Sequence, residues 1–304
     1  MLSVHSIAEQ LYSSKYRFLY ELIENADNSM YSKANRSETK PSLTFNITPS
    51  CFIIETNEDG FTRANVDAIC ATGKSSKKIS QLDDHIGEKG FGFKSVFAVA
   101  KKVHIQSGVW SFCFEHSRGQ SGLGMVTPLD APPTSLAENI TTRITLTLTD
   151  TGHAAYEKLV NAVKDLPNTV IFFLQKLENL TIRIERSDGW TESTMLQKTR
   201  EPTLGMVHLL RETQCLQGSK SLFALTNRSE YHVFTHMIEK MPEDERRQGR
   251  HTALVQLAFP VDAVTKKPEL SLSGQHVFAY LPLQRLPQLN VSVELARRGL
   301  NTAD

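Results

Sequence analysis

Long apolar runs are missing from these 304 residues, and that removes one class of protein at once. Stretches such as Thr169-Val-Ile-Phe-Phe-Leu174 fall far short of the roughly 20 apolar residues that a membrane-spanning helix needs. Cysteine is scarce as well: Cys51, Cys70, Cys113 and Cys215 are scattered, and none sits in a C-x-x-C pair. A zinc centre or a disulfide framework is therefore not expected, and buried free thiols are. Neither sign of charge is in excess. Lys and Arg number 34 against 33 Asp and Glu, a net charge of +1, which does not describe a polybasic nucleic-acid binder. The opening Met1-Leu-Ser-Val-His-Ser-Ile-Ala-Glu9 has no basic region followed by an apolar stretch. No secretory signal is expected from it, and the N-x-S/T triplets at Asn46 and Asn139 read as chance. The expected location is intracellular, cytoplasm or nucleus, with no membrane partner.

What is present is enough apolar side chain for a core: 40% of residues are hydrophobic and 22% charged. On a prior of about 150 residues per domain the length suggests two domains. We place the boundary near 188, where Ser187-Asp-Gly-Trp190 is turn-like, giving units 1–188 and 189–304. Ile7, Leu11, Phe18, Leu19, Leu22 and Ile23 fall near helical spacing within 5–32. Pro41–Thr48 alternates as a half-buried strand, and Cys51–Glu55 returns after a Pro49-Ser50 turn to make a hairpin. Thr62 is placed to cap a helix ending at Cys70. Residues 72–86 are polar, rich in Lys and Ser, and long for an idle connection. A short helix over 94–100, strands over 102–106, 110–114 and 142–148, helix within 153–177 and a strand over 180–184 follow. From about 190 the texture is of strands without glycine motifs, 251–260 and 275–282 being the clearest. The charged loop Met241–Arg250 between elements reads as solvated.

Three features carry chemistry, and they come in a fixed order. Glu21 and Asn25 in Glu21-Leu-Ile-Glu-Asn25 are four apart and share one helix face, a carboxylate beside an oxygen ligand suited to Mg²⁺. Taken alone the pair is an ordinary polar stripe. Glu55-Thr-Asn-Glu-Asp-Gly-Phe61 is a strand running into an acidic turn, where a carboxylate can accept from an exocyclic amine such as that of adenine. Taken alone it is a tight turn that needs glycine for positive φ. Gly87-Glu-Lys-Gly-Phe-Gly92 precedes a helix, so its amides and the helix dipole suit an anion. A P-loop ending at Gly73-Lys-Ser75 is excluded, because Ala68 stands where its first glycine belongs.

The order of these features, with the Lys/Ser-rich lid between them and Thr141-Thr142 opening a later strand, resembles the GHKL ATPase superfamily. That group takes in type II topoisomerases, the ninety-kilodalton heat-shock chaperones, histidine kinases and mismatch-repair ATPases. Tyr20–Asn28, Asn57-Glu-Asp-Gly-Phe61, Ile69–Lys77 and Ile86–Phe97 look closest to its sacsin and NO VEIN type, in particular the fungal members. The close resemblance covers about 5–150, and a weaker one continues through 254–260 and 277–282.

The resemblance implies an α+β fold, a two-layer α/β sandwich of the Bergerat type, followed by a smaller α/β segment. Its sheet would be mixed and mostly antiparallel, with helices on one face. It implies ATP and Mg²⁺ as cofactors. Glu21 would orient and deprotonate the attacking water, and Asn25 would ligate Mg²⁺. Gly87, Gly90 and Gly92 would present amides to the phosphates, in a segment completed by Phe91, Phe93 and Lys94. Lys74 and Lys77 in the lid match positions that neutralise phosphate charge, and Thr142 matches a threonine near the adenine. The superfamily usually has D-x-G-x-G at the adenine turn. Counting back from Gly60, Thr56 stands where that Asp belongs and Glu58 where the first Gly belongs. The adenine contact then falls to Glu55, Asn57 or Asp59, and Asn28 stands where many relatives have Asp.

Two functions remain open on this reading: a slowly hydrolysing, lid-closing ATPase switch of chaperone-like or regulatory kind, or a non-catalytic nucleotide-dependent interaction module. Partners would be the nucleotide and either a second copy or a client protein. A histidine kinase would need a phospho-accepting His on a dimerising helix, and His5 is the sole candidate. In chaperone relatives a basic residue from the following segment reaches the γ-phosphate, and Arg297 and Arg298 stand for it here. The shortness of the chain beside related proteins suggests a truncated paralogue or a fragment.

Overall fold

Strict alternation of buried and half-buried residues decides the centre of the molecule. In the computed structural model, residues 16–70, 93–116, 122–218, 220–240, 252–262, 265, 278–279 and 281–282 are described. The helices are α1 (Phe18–Asp27), α2 (Ser32–Arg36), α3 (Arg63–Cys70) and α4 (His153–Lys164). The first strands are β1 (Ser42–Ile47), β2 (Cys51–Thr56), β3 (Ala100–Ser107), β4 (Trp110–Glu115), β5 (Leu129–Asp130), β6 (Thr142–Leu148) and β7 (Asn179–Glu185). They are followed by β8 (Trp190–Glu201), β9 (Met206–Gln217), β10 (Lys220–Ile238), β11 (Ala253–Pro260) and the short pair β12 (Phe278–Ala279) and β13 (Leu281–Pro282). Every second residue of β1, β2 and β6 is buried, so Leu43, Phe45, Ile47, Phe52, Ile54, Ile144, Leu146 and Leu148 line one face.

Helix α1 covers that face with Phe18, Leu19, Leu22, Ile23 and Ala26, and Phe18 meets Phe52 edge to face at 5.8 Å. Helix α4 contributes Tyr156, Leu159, Val160 and Val163 to the same core. Deleting a fully buried ring such as Phe18 costs about 3–5 kcal/mol, so α1 is held firmly. The cap expected at Thr62 is present as a reciprocal pair. Asn65 N–H donates to Thr62 Oγ1 (3.3 Å), and Thr62 N–H donates to Asn65 Oδ1 (2.8 Å).

The expectation of a helix-packed two-layer α/β sandwich with a smaller α/β segment behind it is corrected by the structure. A single sheet of eleven strands dominates, in the order β11-β10-β9-β8-β7-β1-β2-β6-β3-β4-β5. The α-helices are few and short among the described residues, the longest having 12 residues. Past residue 188 those residues form strands and one 3₁₀ turn, Pro202–Leu204. The reason lies in the pairing. Strand β7 joins β1 in parallel, which needs a crossover, and α4 lies within it. Each strand from β8 to β11 then pairs antiparallel with its predecessor, a pairing that needs no crossover helix, so the sheet grows from its β7 edge. The turn expected near 188 is the reversal between β7 and β8, with Arg186 N–H donating to Trp190 O at 2.8 Å.

All four cysteines are free thiols, Cys113 and Cys215 being buried. Among the described residues no helix is long and apolar enough to cross a membrane.

Candidate functional site

The C-terminal half of α1 and the turn after β2 are joined at one place. Glu21 is half-buried, and its Oε1 pairs with Arg17 Nη2 one turn earlier at 2.7 Å. Asn25 is half-buried one turn on, and Asn28 closes the helix with its N–H donating to Glu24 O at 3.0 Å. Between them Asp27 is buried and faces the core. Its Oδ2 accepts from Gln175 N–H, and its Oδ1 accepts from Lys176 and Leu177 N–H, each at 2.8 Å. Lys176 Nζ reaches back to Ser29 O at 2.8 Å. The helix end is therefore pinned to the segment entering β7.

The acidic turn is tied to the same helix end. Asp59 N–H donates to Met30 O at 2.7 Å, and the Asp59 carboxylate accepts from the N–H groups of Ser32 and Lys33 at 2.9 Å each. Burial works to raise the Asp59 pKa, but the Lys33 and Ser32 amides outweigh it and hold the carboxyl below the usual range. Gly60 has φ +99, and a Cβ there would lie 3.2 Å from Thr141 Cγ2, so the turn admits only glycine without strain.

Of the three expected adenine contacts, each is engaged elsewhere. Glu55 lies on the sheet face away from the helices, where Arg143 Nε donates to it at 2.8 Å and Asn46 Nδ2 at 2.9 Å. Asn57 is buried and holds the start of β1, accepting from Ser42 N–H at 2.8 Å and donating to Lys40 O at 2.9 Å. Asp59 caps α2 as described.

Glu58, between Asn57 and Asp59, is buried in the same turn. It is 4% exposed, its N–H donates to Thr56 Oγ1 at 3.2 Å, and burial pushes its carboxyl pKa up. Thr142 opens β6 directly opposite Thr56 of β2 and Ser107 of β3, so a row of buried hydroxyls crosses the end of the sheet. Ser107 and Thr142 hydroxyls are 2.6 Å apart, and the Tyr31 hydroxyl is 3.2 Å from that of Thr56. Phe61 N–H donates to Ser107 Oγ at 2.8 Å, closing the turn onto β3. No periodic signal marks Glu58, Tyr31 or Ser107, because a turn residue and a strand-end hydroxyl have no helical or strand spacing to betray them.

The 3₁₀ helix Phe93–Ala98 packs against α1, Phe93 is half-buried against the core, and burial lowers the Lys94 pKa while nearby Cys70 of α3 works to raise it. Lys74, Lys77, Gly87, Gly90, Phe91 and Gly92 lie outside the described residues, as do His5, Arg297 and Arg298. Among the described residues no group of three or more His, Cys, Asp or Glu side chains could hold a metal ion.

Comparison with known proteins gives three similarities. The chain is 28% identical over 301 residues to Protein NO VEIN of Arabidopsis thaliana, an alignment covering 93% of this chain and 10% of that protein. It is 31% identical over 126 residues to the chaperone protein HtpG of Buchnera aphidicola subsp. Schizaphis graminum, covering 34% of this chain and 20% of that protein. It is 31% identical over 118 residues to the chaperone protein HtpG of Shouchella clausii, covering 33% and 19%. The chain thus spans a tenth to a fifth of the length of these relatives. No family profile matches it.

Proposed function

We propose that the chain is a GHKL-type nucleotide-binding module that takes ATP with magnesium and hydrolyses it slowly as a conformational switch. One observation carries this reading: three stretches far apart in sequence, the α1 end and following turn at 26–33, the acidic turn 56–61 and the start of β6 at 141–142, meet at a single junction. The similarity to two chaperone proteins supports it, since chaperones belong to the group that the motif order resembles.

In this reading Glu21 orients and deprotonates the attacking water, with Arg17 fixing the direction of its carboxylate. Asn25 offers its carboxamide oxygen to magnesium, and a site with a single neutral protein ligand suits a cation that keeps mostly phosphate and water around it. When bound, the cation would neutralise phosphate charge and polarise the γ-phosphate. Lys74, Lys77 and Lys94, with Gly87, Gly90 and Gly92, would serve the phosphates, in a segment completed by Phe91 and Phe93. Thr142 would lie by the base. Asp27 touches no ligand; it positions α1 by pinning it to 175–177.

A second reading, binding without turnover, is favoured by Thr56. It stands buried, its hydroxyl shared with Tyr31, where the superfamily has an aspartate. Purified protein and its Glu21→Ala variant separate the two in an ATP hydrolysis assay. Slow release of ADP by the wild type, lost in the variant, supports the switch. Equal rates in both sink Glu21 as the base, and tight binding with no product favours the second reading.

A further inference from the structure

The segment between α4 and β7 holds none of the residues assigned to nucleotide or magnesium, yet it is tied on two sides. On one side lie the strands that extend the sheet. Arg211 of β9 donates its Nη1 to Asn168 Oδ1 at 2.7 Å, and the Phe172 ring meets Tyr231 of β10 edge to face at 4.9 Å. Strand β8 brings two cations to one oxygen: Lys198 donates its Nζ, and Arg200 its Nη2 at 2.6 Å, to the carbonyl of Leu174. Lys198 N–H also donates to Glu178 O at 2.8 Å. On the other side lies α1, whose Asp27 carboxylate accepts from the N–H groups of Gln175, Lys176 and Leu177.

These two sets of bonds meet on a single peptide group. The Leu174 carbonyl and the Gln175 N–H are the two ends of one planar unit, so neither end moves without the other. Cations on its oxygen polarise the unit and strengthen its N–H as a donor to Asp27. Leu174, Lys198 and Asp27 are all buried, so water screens these bonds little. Arg200 is exposed along the rest of its side chain, and its removal leaves Lys198 in place on the carbonyl.

We propose that β8 positions the nucleotide site from outside it. Lys198 and Arg200 fix the Leu174–Gln175 peptide, this peptide and the next two amides fix Asp27, and Asp27 fixes the helix that carries Glu21 and Asn25. This rests on the nucleotide-binding reading above and deepens it, since the sheet extension then takes part in ATP affinity. Linkage makes the effect mutual: ATP on α1 steadies β8 by as much as β8 strengthens ATP binding.

The experiment compares wild type, Arg200→Ala, Arg200→Lys and Lys164→Met as full chains, by calorimetric titration with ATP and magnesium and by amide hydrogen exchange with and without ATP. Lys164→Met is the control, because it breaks the Lys164–Glu192 pair between α4 and β8 without touching the Leu174–Gln175 peptide. We expect Arg200→Ala to lose about fivefold in ATP affinity, the lower end of measured couplings between sites. Arg200→Lys, which keeps a cation for the carbonyl, should recover most of it, and Lys164→Met should stay within about twofold. ATP should slow exchange of the β8 amides in wild type and fail to do so in Arg200→Ala, a difference that lowered stability alone does not produce. Wild-type ATP binding with unchanged affinity in folded Arg200→Ala overturns the proposal and leaves nucleotide binding standing, as does an equal loss in Lys164→Met. Should Arg200→Ala not fold, β8 exchange that ignores ATP in wild type overturns it. No nucleotide binding by folded wild type overturns the function itself and this proposal with it.

Discussion

Replacing Asp27 with Asn should destabilise the protein far more than a change of one atom suggests. The carboxylate is buried and takes three backbone N–H groups of Gln175, Lys176 and Leu177, each at 2.8 Å. Two of them share Oδ1 and one uses Oδ2. An asparagine with its oxygen at the Oδ1 place keeps the first two, weakened by loss of charge. Its amide then faces the Gln175 N–H, donor against donor. Hydrogen bonds to a charged group contribute about 1.5–3 kcal/mol, and a buried donor left unpaired costs about 1–3 kcal/mol. The expected loss for Asp27→Asn is therefore about 2–3 kcal/mol, and for Asp27→Ala, which strands all three donors, about 4 kcal/mol or more. Urea unfolding followed by circular dichroism measures both, with an unchanged slope showing that the comparison is of like states. Since α1 also carries Glu21 and Asn25, ATP affinity should fall alongside. A loss below about 0.5 kcal/mol for Asp27→Asn would refute the reasoning.

Other expectations are as specific. Lys198 is buried, donates its Nζ to the Leu174 carbonyl, and has its pKa depressed to about 7, by burial first and Arg200 second, against the pull of Asp27 and Glu178. An unfolded lysine keeps its proton up to about pH 10, so between these values the unfolded chain binds more protons and folding gains stability as pH rises. Lys198→Met should remove about 2 kcal/mol of that gain between pH 7 and pH 9, read by urea unfolding at the two values; parallel profiles for variant and wild type would contradict it. Gly60→Ala should cost about 1–2 kcal/mol from positive φ and the close Thr141 methyl, measured as a lowered unfolding midpoint. Glu55→Gln, on the far face of the sheet, should leave ATP affinity within about twofold while lowering stability by about 1 kcal/mol, and a large loss of affinity would place the base contact on the other face.

The local parts of this fold were readable because their signals are local. The alternation of Leu43, Phe45 and Ile47, the spacing of Phe18, Leu22 and Ile23, and the Thr62 cap each arise within a few residues. The extension of one sheet through β8–β11 was not readable as such. A strand-rich stretch carries no mark saying that it will add to an existing edge instead of building its own layered unit. The site divides in the same way. Glu21, Asn25 and Thr142 lie on periodic elements whose faces spacing predicts. Glu55 is also on a strand, and the same period puts it on the opposite face from Thr56, a consequence the motif alone hides. Asp27 and Asn57 take their roles from partners about 150 and 15 residues away, which no window of sequence contains.

The measurement that bears most directly on the central claim is calorimetric titration of the purified chain with ATP in the presence of magnesium, beside the same titration of Asn25→Ala. The account predicts saturable binding near one nucleotide per chain, weakened about tenfold or more in the variant. Absence of binding by folded wild type, or equal affinity in both, would contradict it.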